Sequence, residues 1–293
     1  MHDFLYLYFS LLSLHSKLPK NTLLVMESDK GRSLDTDINV DSLWLIGPRA
    51  KGGKRENNYH GNFVPQIPEQ MLRRYTKEGG VVLDMFMGSG TVLYEAETLA
   101  RSYIGFDIND EIIAKVQNKM KGSNAKYLIH NCDVTNSEKV SLALSDDLIS
   151  LEKTGVDLIM AHPPYLDIIK FTNKTEDLSN ISNVNSFIKQ FIKGVRNVWP
   201  FLKDNQYFVL VIGDLWRNSE VIPLGFYLMY AIKKAVKCQL KGIVVKDMVG
   251  NRGKIGAESL WRYRALKNGN FLFKHEYIFV FKKQLSNKNN ERS

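Results

Sequence analysis

From Val81 onward, short apolar runs alternate with stretches of helical periodicity, and this alternation is the feature that most constrains the fold. Strands that alternate with helices form βαβ units, which assemble into a mostly parallel sheet with helices on both faces. Helices are predicted near 90–101, 110–121, 185–202 and 222–236. The strands predicted between and beside them are 81–86, 103–108, 125–131, 157–161, 207–213, 240–246 and 277–283. The sequence therefore predicts a seven-stranded α/β fold.

Two turns at strand ends carry the residues of chemical interest. The first strand ends in Asp84 and continues through the letters MFMGSGT, whose glycines precede a helix. Glycines at such a position bring backbone N–H groups of a helix N-terminus close to an anionic ligand. The fourth strand leads into His162-Pro163-Pro164-Tyr165. Because open α/β sheets bind ligands at the carboxyl ends of their strands, we expect both turns to belong to one site.

Together the two turns resemble the motifs of the DNA amino-methyltransferases, which transfer a methyl group from S-adenosylmethionine to an exocyclic nitrogen of a DNA base. The resemblance covers roughly residues 40 to 283. It implies the class I S-adenosylmethionine-dependent methyltransferase fold, a Rossmann-like, mostly parallel sheet in which the last strand is antiparallel. It further implies S-adenosylmethionine as the cofactor and duplex DNA, with the target base flipped out, as the partner.

The resemblance assigns the cofactor to the first half of the sheet. Asp107, at the end of the second strand, lies near the spacing expected for a ribose-binding acid, and Asp133 is expected at the adenine amino group. The segment 62–72 is expected to pack on the methionine portion. The structural alternatives are a helix-terminal charge for Asp107 and a plain loop into a helix for 62–72. The predicted cofactor-binding residues are Phe63, Val64, Pro65, Gln66, Asp84, Phe86, Gly88, Ser89, Gly90, Thr91, Asp107, Ile108 and Asp133.

In the family, the catalytic motif usually begins with Asp, Asn or Ser. That side chain and the carbonyl of the first proline accept the hydrogens of the target amino group, while the aromatic ring stacks on the base. Here Pro163, Pro164 and Tyr165 match, but His162 takes the first place. A neutral imidazole has one unprotonated nitrogen that can accept, whereas the charged form has none. We therefore predict that His162 acts as a neutral acceptor and that activity falls between pH 8 and pH 5 as it becomes charged.

Two further expectations concern the same site. Asp167 is a candidate for orienting His162 or for replacing the missing carboxylate, with a solvated side chain as the alternative. Direct displacement needs no metal and no covalent nucleophile, so neither is expected. Catalysis would come mainly from positioning and hydrogen bonding.

The net charge of +9 suits a polyanionic partner. Between the sixth and seventh strands, basic residues are interleaved with aromatic ones, a pattern typical of phosphate contacts and base stacking. An ordinary basic loop with its aromatic residues in the core is the alternative. A second basic segment, Arg49 to Arg55, contains glycines that favour a mobile loop on phosphates, with solvated side chains as the alternative. The predicted nucleic-acid-binding residues are Arg252, Lys254, Trp261, Arg262, Tyr263 and Arg264.

A single methyltransferase domain is expected over residues 40–284, with DNA-recognition insertions near 166–185 and 250–270 and a disordered tail over 285–293. Residues 1–39 are expected to form an N-terminal extension, of which 1–25 are an extended start or a helix on the core. The apolar run at 4–14 is too short to span a bilayer, and no membrane partner is expected. Cys132 and Cys238 lack the spacing of a zinc site or a disulfide framework and favour a reducing cytoplasm.

The predicted activity is site-specific DNA methylation at N6 of adenine or N4 of cytosine, and the motif does not decide between the two bases. Methylation of an RNA base, as in tRNA, and methylation of protein glutamine are alternatives. A catalytically inactive nucleic-acid-binding module with the same fold is another. A restriction-modification setting with a cognate restriction endonuclease is compatible with the motifs. Neither the recognition sequence nor the oligomeric state follows from the sequence.

Overall fold

The computed structural model describes residues 37–55, 59, 61–248 and 258–285. The chain divides into two compact units, Met1–Asn39 and Val40–Ser293, and every helix and strand described below belongs to the second. The predictions for residues 1–36, for Arg252 and Lys254, and for the tail beyond Leu285 lie outside the described residues. Within the described ranges, no helix is both long enough and apolar enough to cross a membrane.

Ten strands are present in the described part of the chain. They are β1 (Leu43–Trp44), β2 (Val81–Asp84), β3 (Ser102–Asp107), β4 (Tyr127–Asn131), β5 (Val156–Ala161), β6 (Leu202–Ile212), β7 (Leu215–Arg217), β8 (Glu220–Ile222), β9 (Cys238–Asp247) and β10 (His275–Lys283). Eight of them form one sheet in the order β1-β9-β10-β6-β5-β2-β3-β4, and β7 pairs with β8 in a separate hairpin.

The predicted mostly parallel sheet is confirmed, with one additional strand. All neighbouring pairs are parallel except those of β10, which runs antiparallel to both β6 and β9. The antiparallel last strand that the resemblance implied is therefore present. The strand of this sheet that the prediction missed is β1, which has only two residues and pairs with β9 at the edge of the sheet, and the short hairpin of β7 and β8 was not predicted either. A strand this short has no alternation by which the sequence would reveal it.

Helices connect the strands and cover the sheet. They are α1 (Gln66–Tyr75), α2 (Thr91–Thr98), α3 (Asp110–Lys119), α4 (Ser137–Ser150), α5 (Val184–Val198), α6 (Leu224–Ala235) and α7 (Glu258–Asn268). The four predicted helices correspond to α2, α3, α5 and α6. The alternative of an ordinary basic loop between the last two strands does not hold over Glu258–Asn268, where α7 forms. Most of the described side chains of α7 are exposed, so this helix lacks the apolar stripe that marks a helix in a sequence.

Two hydrophobic cores lie on the two faces of the sheet. Successive side chains of a strand point to opposite faces, so Val81 and Leu83 enter one core and Val82 enters the other. The first core includes Phe187 and Phe191 of α5, both fully buried. Burying one such large apolar side chain stabilises the fold by about 1.5–3 kcal/mol. The sheet is therefore covered by apolar packing on both faces, which leaves its strand ends as the place for polar groups.

The strand order reverses between β2 and β5, and this reversal positions the site. From β2 the chain continues through β3 to β4 on one side of the sheet and then returns to β5 on the other side. Asp84 of β2 pairs with Met160 of β5, and the Met85 N–H donates to the Met160 carbonyl at 3.0 Å. The turns that follow β2 and β5 are therefore neighbours in the crevice where sheets of this kind bind ligands.

Candidate active site

A cavity of about 660 Å³ lies at the carboxyl ends of β2, β3 and β5. Its volume is in the range of small-molecule and cofactor sites. Both turns singled out in the sequence contribute to its lining, as do the ends of β9 and β10. The two halves of the site, predicted about seventy residues apart in the chain, therefore line one cavity.

Asp84, the last residue of β2, stabilises the turn that follows this strand through hydrogen bonds. Its carboxylate accepts hydrogen bonds from the Phe86 N–H and the Tyr103 hydroxyl, each at 3.2 Å. Burial raises the pKa of Asp84 to about 7, although both hydrogen bonds oppose that shift. The turn then reaches Gly90, which has a φ of +83° and precedes α2. Such a left-handed conformation strongly favours glycine at this position.

The first residue of α2 places an unsatisfied hydroxyl beside the cavity. Thr91 is buried, lines the cavity, and its Oγ1 has no hydrogen-bond partner in the described structure. A buried polar atom without a partner costs free energy, and such atoms are rare in native structures unless a ligand or water satisfies them. The hydroxyl is therefore available to a polar ligand or a water at the N-terminus of this helix.

Asp107 bridges the glycine turn and the start of α3. Its carboxylate accepts from the Gly88 N–H at 2.8 Å and from the Asn109 N–H at 2.9 Å. Burial raises the pKa of Asp107, while these backbone donors lower it. Each carboxylate oxygen keeps a further lone pair, so Asp107 can hold the turn and still accept from a hydroxyl of a ligand.

The predicted cofactor residues divide into two groups. Those that line the cavity are Phe63, Val64, Asp84, Phe86, Gly88, Ser89, Thr91, Asp107, Ile108 and Asp133. The other three, Pro65, Gln66 and Gly90, lie outside the lining. Gln66 is turned toward the 48–50 loop, where its amide donates to the Pro48 carbonyl and accepts from the Ala50 N–H. Pro65 and Gly90 precede α1 and α2, respectively, so their roles are in the backbone.

All four residues of the predicted catalytic turn, His162 to Tyr165, line the cavity. The His162 ring packs edge-on against Phe63 with 4.8 Å between centroids, and its Nε2 lies 3.3 Å from the Tyr165 hydroxyl. Burial lowers the pKa of His162 to about 4, and Lys246 adds to this shift while Glu276 opposes it. The imidazole is therefore neutral at pH 7. Its protonation lies below the range of pH 5 to 8 in which the sequence led us to expect a loss of activity.

An ion pair that sequence reasoning missed supports this turn. The Tyr165 hydroxyl donates to Glu276 Oε2 at 3.3 Å, and Lys246 Nζ donates to Glu276 Oε1 at 3.0 Å. Both charged residues line the cavity. The sequence does contain a signal for this pair, because Lys246 lies within, and Glu276 directly before, a predicted strand that is otherwise largely apolar. Their proximity to Tyr165 depends on the register of β9 and β10, which the sequence does not specify.

Asp167 does not take the role considered for it. It forms an ion pair with Arg217 and lies outside the cavity lining. The segment that follows it does enter the site. Lys174 fastens that segment to the end of β3, donating to the Ile108 carbonyl and to Asp110 at 2.6 Å each. The residues of this segment that line the cavity are Ile168, Ile169, Phe171, Thr172, Glu176, Asp177 and Leu178.

Four of the predicted nucleic-acid-binding residues, Trp261, Arg262, Tyr263 and Arg264, lie on α7. The Arg264 guanidinium stacks over the Trp261 ring at 5.4 Å, and Tyr263 is 61% exposed. Met248 follows β9 and Lys274 precedes β10, so these two residues flank the segment that contains α7. The Met248 N–H donates to the Lys274 carbonyl at 2.8 Å, which joins the two ends of that segment beside the cavity. Met248 itself lines the cavity. The exposed helix is thus attached at the edge of the site.

The basic segment Arg49 to Arg55 is used within the fold, contrary to the expectation of a mobile phosphate-binding loop. Arg55 makes a bidentate pair with the fully buried Glu95 at 2.7 and 2.6 Å. Lys54 pairs with Glu97 at 2.5 Å. Arg49 donates to the Phe63 carbonyl at 2.8 Å. Their charges are therefore engaged by nearby acceptors.

The parallel sheet with its reversed strand order, its antiparallel last strand and the glycine turn before α2 has the architecture of the class I S-adenosylmethionine-dependent methyltransferase fold. Residues 14–118 match the family described as DNA methylase. The chain is 36% identical to the type II methyltransferase M.MjaII of Methanocaldococcus jannaschii over 223 residues, which cover 73% of this chain and 34% of that protein. By these matches, the chain belongs to the DNA methylase family.

The chain is also similar to a second curated protein and to a solved structure. The chain is 42% identical to the type II methyltransferase M.HpaI of Haemophilus parainfluenzae over 82 residues, which cover 28% of this chain and 26% of that protein. A solved methyltransferase from Pyrococcus furiosus aligns over 78% of this chain and 88% of its own, with a TM-score of 0.44 and 13% identity. The chain spans about a third of the length of M.MjaII and about a quarter of the length of M.HpaI.

Proposed function

We propose that this protein is a site-specific DNA methyltransferase that uses S-adenosylmethionine to methylate the exocyclic amino group of adenine (N6) or cytosine (N4). The observation that carries the proposal is the meeting of the glycine turn and the His162-Pro163-Pro164-Tyr165 turn in one cavity. The first turn suits the cofactor and the second suits an amino nitrogen. Family membership supports the same pairing.

The residues present fit the cofactor. The N-terminus of α2 and the unsatisfied Thr91 hydroxyl suit the carboxylate end of S-adenosylmethionine. Asp107 has lone pairs free for ribose hydroxyls, and Asp133 lies on the same cavity wall. When bound, the cofactor supplies an electrophilic methyl group on a sulfonium. Phe63, one of the proposed cofactor contacts, packs directly on His162 of the catalytic turn.

The catalytic turn supplies acceptors and a flat surface. The proposed acceptors for the two N–H hydrogens of the target amino group are the neutral His162 imidazole and the Pro163 carbonyl. Proline fixes its own backbone torsion, which favours a rigid turn. The Tyr165 ring stacks on the flipped base. Catalysis in this proposal comes from holding the nitrogen in line with the methyl group and from hydrogen bonds that favour its tetrahedral form.

Duplex DNA is the proposed substrate because the surroundings of the cavity offer suitable contacts. Arg262, Tyr263 and Arg264 are exposed side chains of α7, and the chain that carries α7 joins the sheet beside the cavity at Met248 and Lys274. The net charge of +9 favours a polyanion. The proposal includes a cytoplasmic location and, as in a restriction-modification system, a cognate restriction endonuclease.

The test is transfer of labelled methyl groups from S-adenosylmethionine to duplex DNA, tRNA and protein. Label in DNA that nucleoside analysis identifies as N6-methyladenine or N4-methylcytosine supports the proposal. Label confined to tRNA or to protein glutamine contradicts it. Cofactor binding without transfer to any substrate indicates an inactive nucleic-acid-binding module.

Two substitutions separate the proposed roles. His162→Ala is expected to lower kcat by about 10²–10³-fold while sparing cofactor binding, as for loss of one transition-state hydrogen-bond partner. Asp107→Ala is expected to weaken cofactor binding first. His130→Ala is the matched control, since His130 pairs with Asp147 at 2.7 Å and does not line the cavity. The reverse assignment of effects to His162 and Asp107 contradicts this division of roles.

A further inference from the structure

A buried ion pair lies directly behind the catalytic turn. The side chains of Lys246 and Glu276 are 5% and 8% exposed, and β-sheet register places the two residues opposite each other on β9 and β10. A buried ion pair is weak evidence for stability, because desolvating both charges offsets most of their attraction. Since both residues also line the cavity, their placement points to a role in the site.

The direction of the hydrogen bonds follows from the chemistry of the groups. The Glu276 carboxylate, paired with Lys246, can only accept, so the Tyr165 hydroxyl gives its single proton to Oε2 at 3.3 Å. The Tyr165 oxygen then has only lone pairs to offer. Its 3.3 Å contact with His162 Nε2 is a hydrogen bond only if Nε2 carries the proton. A neutral imidazole protonated at Nε2 has an unprotonated Nδ1.

We propose that Glu276, held by Lys246, is a positioning residue that fixes His162 as its Nε2–H tautomer through Tyr165. Nδ1 makes no hydrogen bond to any residue that the structure describes, so its lone pair is available. The assignment of Nδ1 as the acceptor for the target amino group rests on the proposed function. The tautomer itself does not.

Close packing fixes the Tyr165 ring, so its hydroxyl stays in place between Glu276 and His162. Gly213 follows β6, and a Cβ added there would lie 3.0 Å from Tyr165 Cε2. The backbone therefore approaches the ring with no space for a side chain. The Tyr165 ring is therefore held at two places, at Cε2 by the Gly213 backbone and at its hydroxyl between Glu276 and His162. Because the ring is fixed, the Lys246–Glu276 ion pair on β9 and β10 can determine the tautomer of His162, which follows β5.

Nitrogen-15 NMR of the full-length, histidine-labelled protein at pH 7 tests the proposal directly. The His162 signals are assigned as those lost in His162→Asn. In the wild-type protein we expect the proton on Nε2 and a non-protonated signal from Nδ1. Tyr165→Phe keeps the ring but removes the hydroxyl, and it should convert His162 to a mixture of tautomers. The double variant Lys246→Met/Glu276→Met should do the same without leaving one charge buried alone.

Tyr277→Phe is the matched control. Tyr277 also bonds a histidine, His275, at 2.9 Å on β10, but neither residue lines the cavity. This variant should leave the His162 tautomer unchanged. A proton on Nδ1 in the wild-type protein overturns the proposal, and so does an unchanged tautomer in folded Tyr165→Phe.

Activity provides a second readout. If the proposed methylation occurs, Tyr165→Phe should lower kcat by about 10-fold, the size expected for one lost hydrogen bond, with little change in the KM for DNA. An equal kcat for this variant and the wild type contradicts the positioning role. The NMR experiment needs neither cofactor nor DNA. An absence of methyl transfer would therefore count against the proposed function while the tautomer is measured independently.

Discussion

At the scale of single residues, His162 shows how the surroundings decide the chemistry of a side chain. An exposed histidine would be partly charged near neutral pH and would then donate from both ring nitrogens. In this cavity, burial beside Phe63 and the charge of Lys246 favour the neutral form, which is the form with an acceptor. The departure from the usual Asp, Asn or Ser is therefore compatible with a motif that needs an acceptor at this place.

The pH dependence of turnover follows from the same shift. Because the pKa of His162 is lowered to about 4, its neutral form predominates throughout the range from pH 8 to pH 5. We predict that protonation of His162 causes no loss of kcat in this range and that kcat falls as the pH decreases through about 4. Single-turnover rates with saturating DNA would measure it, with circular dichroism at each pH to confirm that the protein is folded. A midpoint near 6.5, the ordinary value for histidine, contradicts the prediction.

At the scale of elements, the sequence predicts the order of strands and helices well, but it does not predict which elements contact each other. Apolar runs and glycine turns revealed seven strands of the main sheet, because strand cores must be apolar whatever their neighbours. They did not reveal α7, whose described side chains are mostly exposed, or the approach of Glu276 to Tyr165. Such contacts depend on strand order and register, which involve residues more than a hundred positions apart.

The basic segment before α1 is a further case in which pairing decides the role of a charge. Its Arg55 neutralises Glu95, whose side chain is fully buried in α2. We predict that Arg55→Ala lowers the free energy of unfolding by about 3–5 kcal/mol, because it leaves a buried carboxylate without its partner. Urea denaturation would measure the change.

Lys115→Ala is the comparison for that experiment. Lys115 pairs with Glu111 on the surface of α3, where the two side chains are 72% and 86% exposed. An exposed helical pair of this kind contributes only about 0.3–0.5 kcal/mol. Similar losses from the two substitutions would show that the pair between Arg55 and Glu95 does not hold this segment on the fold.

At the scale of the whole molecule, charge and fold support the proposed function in different ways. The positive net charge favours a nucleic acid but does not say where it would bind. The fold adds a location, because the ends of β9 and β10 place the segment carrying α7 at the cavity edge. The sequence could predict the basic and aromatic residues of this surface. The attachment of their segment to the sheet beside the cavity depends on the antiparallel pairing of the last two strands.

The proposed DNA surface predicts a specific salt dependence. If Arg262 and Arg264 each neutralise one phosphate, replacing both by alanine should reduce the slope of log K against log salt by about 1.8, since each contact contributes about 0.9. Lys233→Ala/Lys234→Ala removes the same charge from the end of α6. The end of α6 precedes the first residue of β9, and the cavity lies at the other end of that strand. The two lysines are therefore far from the cavity. Fluorescence anisotropy with duplex DNA at several salt concentrations would measure the slopes, and equal reductions in the two variants would contradict a binding surface on α7.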